Sequence, residues 1–355
     1  MTKIAIISDS HWGVRNSNIH FLDMTKKFLD DVFFPVIDIQ GIDTILHLGD
    51  LVDQRKQISF LTASRLREDF LDVISKKNLK MHAIAGNHDC FFKNTNKVNA
   101  LTELIDGKYP NVKLYIDPEE VVIGGKQILF VPWICDNNKE KTMEMIQTSN
   151  SLICMGHLEL EGFEMFRGSV NSHGENSRKF DRFDIVLSGH YHHRSNRDNV
   201  FYLGSHGEFT WSDYDDPRGF HIMDLEKNSL TFYENPYRMF RKIWYNDLDK
   251  TLEQILEVDM TQYQNSMVKL IVQNKTNPYW FDLFCVELEK NGLINLQIVE
   301  DHMNLDMVDE NNIVDESQST LDIFRNHINR TEMDVDRVKL NRVISDLYNE
   351  ALALE

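Results

Sequence analysis

Five short polar motifs each follow a run of apolar residues, and this repeated order is the strongest constraint on the fold. They are Asp9-Ser10-His11, Gly49-Asp50, Gly86-Asn87-His88-Asp89, Gly156-His157 and Gly189-His190-Tyr191-His192. Each motif is expected at the carboxyl edge of a strand, where the functional sites of open α/β sheets assemble. The glycines are expected to turn the backbone sharply out of the strand. The motifs therefore predict strand ends that converge on one site.

Strand-like and helix-like patterns alternate through the first two thirds of the chain. Apolar runs at 4–7, 44–48, 81–85, 151–155 and 184–187 alternate with amphipathic stretches at 21–39, 60–74 and 137–147. Two further pairs of apolar runs, 121–123 with 127–131 and 219–223 with 229–233, flank turn residues and predict antiparallel hairpins. We predict an α/β fold, a two-sheet sandwich flanked by helices over residues 1–240.

The pattern changes near residue 240. A strand–helix–strand pattern covers residues 267–299 and predicts a small α+β cap domain over residues 241–302. The stretch Glu300–Asp322 contains eight acidic residues and no basic one, which is typical of a solvated linker. Amphipathic helical patterns follow it, so we predict an acidic linker and a helical tail over residues 303–355.

The charge balance restricts the classes of function. Lys and Arg total 38 and Asp and Glu total 56, which gives a formal net charge of −18. An acidic chain binds nucleic acid poorly unless basic side chains or metal ions gather at the site, because phosphate contacts need positive charge. No apolar run is long enough for a membrane span, and the N-terminus lacks a secretory pattern. We expect a cytoplasmic protein with no membrane partner and with reduced cysteines.

The residue types at the five motifs suit two divalent metal ions. Two aspartates, one asparagine and four histidines supply carboxylate, amide and imidazole ligands, which favour manganese, iron or zinc over magnesium alone. One carboxylate has to bridge the ions, and the motif order indicates Asp50. Two metals about 3.5–4 Å apart can clamp a phosphoryl group and generate a hydroxide for in-line attack. By contrast, His47 and His82 lie inside apolar strands and are expected to be core residues.

The order D-x-H, GD, GNHD, GH, GHxH resembles the calcineurin-like metallophosphoesterases. The whole chain is similar to the SbcD-type and meiotic-recombination nuclease branch, and the stretches PWICDNN, SHGEN and DDPRGF resemble its phage members. The resemblance implies two Mn²⁺ ions, with one held by Asp9, His11, Asp50 and His192 and the other by Asp50, Asn87, His157 and His190. It also implies that His88 lies beside the scissile phosphate and that Asp89 orients His88.

One position departs from the family pattern. Some members carry a histidine three residues after the bridging aspartate, where this chain has Asp53. The sequence leaves open whether Asp53 or His193 orients the substrate.

Loops after the motifs carry residues that could contact DNA. The basic candidates are Arg15, Arg55, Lys56, Lys93, Lys97, Arg194 and Arg197. Phe91, Phe92 and Tyr191 could stack on an unpaired base. Ordinary surface charge and core packing are the alternative interpretations of these side chains.

The resemblance also implies protein partners. In the family, a C-terminal helical segment binds the coiled-coil base of an SMC-like ATPase subunit. Helices of the phosphoesterase domain, here near 60–76 and 95–105, form a homodimer within a heterotetramer. Packing of the tail against its own domain is the alternative.

These observations favour a manganese-dependent DNA nuclease. It would act as a 3′–5′ exonuclease on duplex ends and as an endonuclease on single strands, together with the ATPase, in recombination, repair and recombination-dependent replication. A small-molecule phosphodiesterase or nucleotidase on the same scaffold is the alternative, and it predicts a closed pocket and no use for residues 241–355. A non-catalytic scaffold is disfavoured, because every ligand position is filled and His88 is present.

Overall fold

The computed structural model describes residues 2–171, 174–300, 337 and 339–340. Its strands are β1 (Lys3–Ile7), β2 (Thr44–His47), β3 (Lys80–Ile84), β4 (Val112–Tyr115), β5 (Glu119–Ile123), β6 (Lys126–Val131), β7 (Ile153–His157), β8 (Glu164–Phe166), β9 (Ser169–Val170), β10 (Ile185–Gly189), β11 (Ser195–Arg197), β12 (Val200–Tyr202), β13 (Gly219–Asp224), β14 (Ser229–Glu234), β15 (Phe240–Asn246), β16 (Met267–Asn274) and β17 (Asn295–Glu300). Its α-helices are α1 (Ile19–Phe28), α2 (Phe34–Gln40), α3 (Phe60–Leu66), α4 (Asp72–Lys76), α5 (Ala100–Leu104), α6 (Lys139–Thr148), α7 (Leu252–Leu256) and α8 (Pro278–Lys290). The π turns Leu29–Phe33 and Arg67–Leu71 join α1 to α2 and α3 to α4.

Two six-stranded sheets form the body of the molecule. Their strand orders are β14-β13-β1-β2-β3-β4 and β11-β12-β10-β7-β6-β5. Strands β1 to β4 are parallel, and so are β6, β7, β10 and β12. Antiparallel pairing adds β13 and β14 to the first sheet and β5 and β11 to the second. The predicted two-sheet α/β sandwich is confirmed, together with both hairpins. Because parallel strands end at a common edge, the loops after β1, β2, β3, β7 and β10 come together.

Alternation of side chains along the strands builds three apolar layers. In β1, Ile4 and Ile6 join a cluster between the sheets that contains Phe130. Ala5 and Ile7, on the opposite face, join the cluster formed with α1 to α4. A slip of one residue would exchange the two faces, so this burial fixes the register of the strand.

The cap has its own sheet and its own core. Strands β15, β16 and β17 are parallel, and α7 and α8 contribute to one apolar cluster with them. The predicted strand–helix–strand unit corresponds to β16, α8 and β17. The sequence pattern did not predict β15, which pairs with β16. Residues 2–300 belong to one compact unit, and the boundary at residue 240 stays a prediction.

Two further expectations concern the C-terminal segment and the helix near residues 95–105. The acidic linker and helical tail, 303–355, lie outside the described residues apart from 337, 339 and 340. The helix expected near 95–105 is present as the shorter α5. Across the described ranges, none of the helices has both the length and the apolar character needed to cross a lipid bilayer.

A buried carboxylate fixes the start of the cap. Glu208 Oε2 accepts the N–H groups of Met239 at 2.8 Å and Phe240 at 2.9 Å. Burial raises the pKa of Glu208 to about 7, although these amides and Arg238 favour the ionised form. The junction between sandwich and cap therefore contains a carboxyl group whose ionisation is unfavourable.

Replacing this carboxyl should change how stability depends on pH. The pKa of Glu208 is about 7 in the folded protein, against an ordinary value of 4.5, so the folded state binds more protons between these values. Wild-type stability should therefore fall as pH rises through this window, and Glu208→Gln should reduce the slope. Urea unfolding at several pH values measures it. The exposed Glu257→Gln is the matched control, and an unchanged slope in Glu208→Gln would contradict the prediction.

Candidate metal centre

The five motifs meet at the carboxyl edge of the two sheets. Asp9, Asp50 and Asn87 follow β1, β2 and β3 of the first sheet. His157 ends β7 and His190 follows β10 in the second sheet. All five residues are buried or half-buried. The centre is therefore assembled from both sheets.

Asp9, His11 and His192 form a first set of donors. Their donor atoms all lie within 4.8 Å of one another, and the two Nε2 atoms of His11 and His192 are 3.0 Å apart. The Asp9 carboxylate accepts the N–H of His190 at 3.0 Å and the hydroxyl of Ser8 at 2.5 Å. These two hydrogen bonds hold the carboxylate in place.

Asp50, His157 and His190 form a second set, also within 4.8 Å. Asn87 Oδ1 lies 2.9 Å from His157 Nε2 and 2.9 Å from His190 Nδ1, so the amide belongs to this set. The other ring nitrogen of His157 is 2.8 Å from the carbonyl oxygen of Leu48. A proton on Nδ1 would be donated to that carbonyl, which leaves Nε2 free to act as a ligand.

Asp50 lies between the two sets. Its Oδ1 accepts the N–H of His88 at 2.7 Å. Its Oδ2 is 3.3 Å from His157 Nε2 and 3.7 Å from His11 Nε2. One oxygen therefore faces an imidazole of each set, which is the position that a bridging ligand needs.

The donor atoms fit divalent metal ions. Nitrogens about 3 Å apart, as in His11 and His192, have the separation expected of neighbouring ligands about 2.1 Å from one ion. Imidazole, carboxylate and amide donors together suit manganese, iron or zinc. The structure thus brings all seven predicted ligands into two neighbouring sets, with Asp50 of the second set 3.7 Å from His11 of the first.

The charges of the centre depend on each other. Burial would raise the pKa of Asp50, but the surrounding imidazoles, His157 foremost, hold it well below its ordinary value. Burial would lower the pKa values of His11 and His157, yet nearby carboxylates raise both to about 9. Burial and neighbouring imidazoles lower the pKa of His190 to about 3. The carboxylates therefore favour positive charge here, and a bound metal ion would replace protons that the histidines otherwise carry.

Four of the predicted ligands have left-handed backbone conformations. The φ angles are 51° at Asp9, 43° at His11, 52° at Asp50 and 88° at His190. Such angles are unfavourable for residues with a side chain and gather at functional sites. Hydrogen bonds between the loops after β1 and β2 hold the first three of these residues. The N–H of Asp9 donates to Gly49 O at 3.0 Å, and the N–H of His11 donates to Asp50 O at 3.1 Å.

The motif glycines allow neighbouring groups to pack directly against the backbone, and one of them also makes a sharp turn. Gly49, with φ of 94°, makes the sharp turn that the sequence predicts. The other motif glycines, Gly86, Gly156 and Gly189, lie outside the positive-φ region, so the predicted turning role holds only at Gly49. A Cβ atom at Gly189 would lie 2.0 Å from Ser8 Oγ, and one at Gly49 would lie 2.3 Å from His157 Nδ1. A side chain at Gly189 would displace Ser8, which holds Asp9, and a side chain at Gly49 would displace His157.

His88 stands beside the two sets. Its ring centroid is 4.9 Å from that of His11, at a steep angle. Its Nδ1 is 2.5 Å from the carbonyl oxygen of Asp53, so Nε2 is the nitrogen that can reach a substrate. His88, His11 and Asp53 also form a third group of close donor atoms, which shares His11 with the first set.

Asp89 does not orient His88, so that prediction is wrong. Asp89 Oδ1 accepts the N–H groups of Leu51 at 2.9 Å and Val52 at 3.1 Å, and Oδ2 accepts that of Gly86 at 2.8 Å. Burial raises the pKa of Asp89 to about 7, although these amides favour the ionised form. The physical reason is that buried N–H groups need acceptors, and this carboxylate supplies them.

Two of the predicted DNA contacts are engaged within the protein. The guanidinium of Arg194 lies 3.7 Å from the centroid of the Phe232 ring. Arg197 lies 4.6 Å from the centroid of the Phe163 ring and donates to the carbonyl of Gly162 at 3.2 Å. Both arginines therefore have structural roles that the sequence did not indicate.

Arg194 and Arg197 are exposed despite these contacts, and the other basic candidates range from exposed to half-buried. Lys56 and Lys93 are exposed. Arg15 is exposed too, and its Nε donates to the carbonyl of Phe209 at 3.0 Å. Arg55 is half-buried, with its guanidinium 5.2 Å from the centroid of a tryptophan ring.

The aromatic candidates divide in the same way. Tyr191 is buried, stacks on Tyr202 at 4.4 Å and donates its hydroxyl to Leu160 O at 3.0 Å. The prediction that it stacks on a base is therefore wrong. Phe91 is half-buried, and Phe92 is 47% exposed beside it.

Asp53 and His193, the two candidates for orienting the substrate, have different surroundings in the structure. Asp53 Oδ1 lies at the centre, 3.2 Å from His11 Nδ1. His193 Nδ1 is instead 2.8 Å from Asp216, whose carboxylate is also 2.8 Å from the buried Arg218. Sequence reasoning missed this network behind His193, although the DDPRGF stretch contains both Asp216 and Arg218.

Comparison with known proteins identifies the family. The profile described as "Calcineurin-like phosphoesterase" matches residues 2–194. The chain therefore belongs to the calcineurin-like phosphoesterase family, and it is a metal-dependent hydrolase.

Its relatives within the family are nuclease and repair proteins. Exonuclease subunit 1 of Enterobacteria phage T4 is 35% identical over 358 residues, which cover 98% of this chain and 99% of the relative. The DNA double-strand break repair protein Mre11 of Methanococcus maripaludis is 25% identical, over 94% of this chain and 92% of its own. The SbcD component of nuclease SbcCD from Staphylococcus saprophyticus is 24% identical, over 98% and 92%. The expected resemblance to this branch and to its phage members is confirmed.

Removing the Asp89 carboxylate should destabilise the protein. In Asp89→Ala three buried N–H groups lose their acceptor, at roughly 1–3 kcal/mol each, so we expect a loss of roughly 3 kcal/mol or more in the free energy of unfolding. Asp89→Asn keeps one carbonyl oxygen and should lose less. Urea unfolding measures both variants. An Asp89→Ala variant as stable as the wild type, but inactive, would instead support a direct role for Asp89 beside His88.

Proposed function

We propose that the protein is a manganese-dependent DNA nuclease that hydrolyses phosphodiesters with two metal ions. The observation that supports this most directly is Asp50, whose Oδ2 faces both donor sets while its Oδ1 accepts the amide of His88. The names of the relatives, an exonuclease component, a double-strand break repair protein and a nuclease component, support DNA as the substrate. The proposed activities are 3′–5′ exonuclease on duplex ends and endonuclease on single strands.

Two residues of the chain would have direct roles in the reaction at phosphorus, Asp50 and His88. When bound, two metal ions supply Lewis-acid stabilisation of the phosphate and a hydroxide nucleophile. Asp50 would hold both ions at a fixed spacing. His88, held at Nδ1 by the Asp53 carbonyl, would face the phosphate with Nε2. In its cationic form it would stabilise the added negative charge and give its proton to the leaving 3′ oxygen.

Contacts to DNA would come from the accessible side chains of the loops after the motifs. Lys56 and Lys93 are exposed and supply positive charge in the loops after the second and third motifs. Phe92, 47% exposed, offers a ring on which an unpaired base can stack. Arg194 and Arg197 would contribute charge without leaving their aromatic contacts.

The proposed assembly follows the resemblance to nuclease subunits. We propose that residues 303–355 bind an SMC-like ATPase subunit and that the protein acts with it in recombination, repair and recombination-dependent replication. For a phage-encoded protein this would take place in the cytoplasm of the host cell. We also propose a homodimer through α3, α4 and α5, supported by the 96% exposure of Phe60 and the 45% exposure of Leu61 at the start of α3.

The nuclease proposal is tested by DNA cleavage with defined variants. Purified protein with Mn²⁺ should degrade linear duplex DNA and single-stranded circles, and EDTA should abolish both activities. His88→Ala should lower the cleavage rate about 100-fold or more, because general acid catalysis contributes about that much. It should still bind Mn²⁺, since His88 belongs to neither predicted ligand set.

The exposed Lys108→Ala, at a distance from the motifs in sequence, is the control for nonspecific loss. DNA that stays intact while small phosphodiesters or nucleotides are hydrolysed rapidly would favour the alternative, a small-molecule phosphodiesterase. If adding the ATPase subunit then restores DNA cleavage, control by that subunit explains the result.

The homodimer is tested by a single surface charge. Phe60→Glu places a carboxylate in the proposed interface and should convert a dimer into a monomer, as measured by analytical ultracentrifugation. Val122→Glu, at a residue 69% exposed on β5, is the matched control and should remain dimeric. A monomeric wild type, or a dimer that Phe60→Glu leaves intact, would contradict this interface.

A further inference from the structure

Asp53 contacts two functional histidines through two different groups. Its carboxylate Oδ1 is 3.2 Å from Nδ1 of His11, a member of the first donor set. Its backbone carbonyl is 2.5 Å from Nδ1 of His88. The side chain is 19% exposed and that of His11 is 4% exposed, so the contact between them is largely shielded from water.

Pairing of two loops sets this position. Beyond the paired strands β1 and β2, the N–H of His11 donates to Asp50 O at 3.1 Å and the N–H of Trp12 donates to Leu51 O at 2.9 Å. The N–H of Asp53 then donates back to Trp12 O at 3.1 Å. These three hydrogen bonds extend the parallel pairing past the strand ends and place Asp53 beside His11.

Asp53 Oδ1 and His11 Nδ1 lie within ion-pair distance but are not aligned as a hydrogen bond, so the carboxylate would accept the Nδ1 proton once the ring turns toward it. An imidazole that gives its Nδ1 proton to a carboxylate presents an unprotonated Nε2, with its ring orientation fixed. In His11 that Nε2 is 3.0 Å from His192 Nε2 and 3.7 Å from Asp50 Oδ2. The Asp53 carboxylate therefore lies at Nδ1 of the His11 ring, while the other metal-ligand candidates lie at its Nε2.

We propose that Asp53 is a positioning residue of this centre. Its carboxylate fixes the tautomer and orientation of His11 as a metal ligand, and its carbonyl orients His88. The proposal rests on the proposed two-metal function and gives it a specific support at the position where some family members carry a histidine. An aspartate at this position pairs with the ligand His11 at 3.2 Å, so its role is to support the metal centre and not to contact the substrate.

His193 does not compete for this role. Its Nδ1 is 2.8 Å from Asp216 and its Nε2 is 3.4 Å from Glu164, so carboxylates occupy both of its ring nitrogens. The sequence left open whether Asp53 or His193 has this role. Asp53 is the one that contacts the centre.

Mn²⁺ binding without DNA tests the proposal. Free Mn²⁺ measured by electron paramagnetic resonance, with the full-length protein, should show two bound ions in the wild type. Asp53→Ala should weaken one of them about 10-fold to 100-fold and leave the other unchanged, as expected for the loss of a carboxylate behind a metal-bound histidine. Asp53→Asn, which keeps an acceptor oxygen, should lose less. The exposed Asp106→Ala is the matched control.

Double variants show through which histidine the side chain acts. If the carboxylate acts through His11, Asp53→Ala added to His11→Ala should cause no further loss of Mn²⁺ affinity. Because the carbonyl is kept in Asp53→Ala, the effects of Asp53→Ala and His88→Ala on the cleavage rate should multiply. Circular dichroism and the unfolding midpoint establish that the variants are folded.

Two outcomes would overturn the proposal. One is wild-type binding of both ions by folded Asp53→Ala, and the other is a full additional loss on top of His11→Ala. Since the binding measurement uses Mn²⁺ alone, it is independent of the substrate. A wild type that binds Mn²⁺ in an Asp53-dependent way but leaves DNA intact would refute the nuclease function and keep the role of Asp53.

Discussion

The buried carboxylate of Asp89 joins the two loops on which the centre depends. It accepts the N–H groups of Leu51 and Val52 from the loop after β2, and that of Gly86 from the turn after β3. Asp50 and Asp53 lie on the first loop and His88 on the second. A change in the spacing of these loops would therefore separate His88 from both aspartates at once. The hydrogen bonds of one buried side chain therefore set the position of His88 relative to Asp50 and Asp53.

The left-handed residues add a second constraint of the same kind. Asp9, His11, Asp50 and His190 each carry roughly 1–3 kcal/mol of backbone strain, which the surrounding structure has to offset. Paired loops and close glycine contacts hold them, and the buried sandwich beneath supplies the stability. The backbone conformations that place these donors are therefore held by the protein's own hydrogen bonds and packing.

Local patterns predicted more of this molecule than long-range ones. The strand ends, the hairpins and the seven candidate ligands follow from apolar runs and from the residues directly after them. Burial of Tyr191 against Tyr202, and the aromatic contacts of Arg194 and Arg197, depend on distant segments and were not predictable. The Asp89 error has the same origin: adjacency in the sequence suggested His88 as its partner, whereas three amides from folded loops are its partners.

The acidic charge of the chain bears on how the proposed nuclease would hold DNA. Its net charge is −18, and two of its candidate arginines already face aromatic rings of the protein. Two divalent ions would add four positive charges at one edge of the sheets, where buried carboxylates already favour positive charge. Since phosphate binding needs such a local field, affinity for DNA would follow occupancy of the metal centre. In such a protein the metals would serve binding as well as hydrolysis, and a residue such as Asp53 that supports a ligand would influence both.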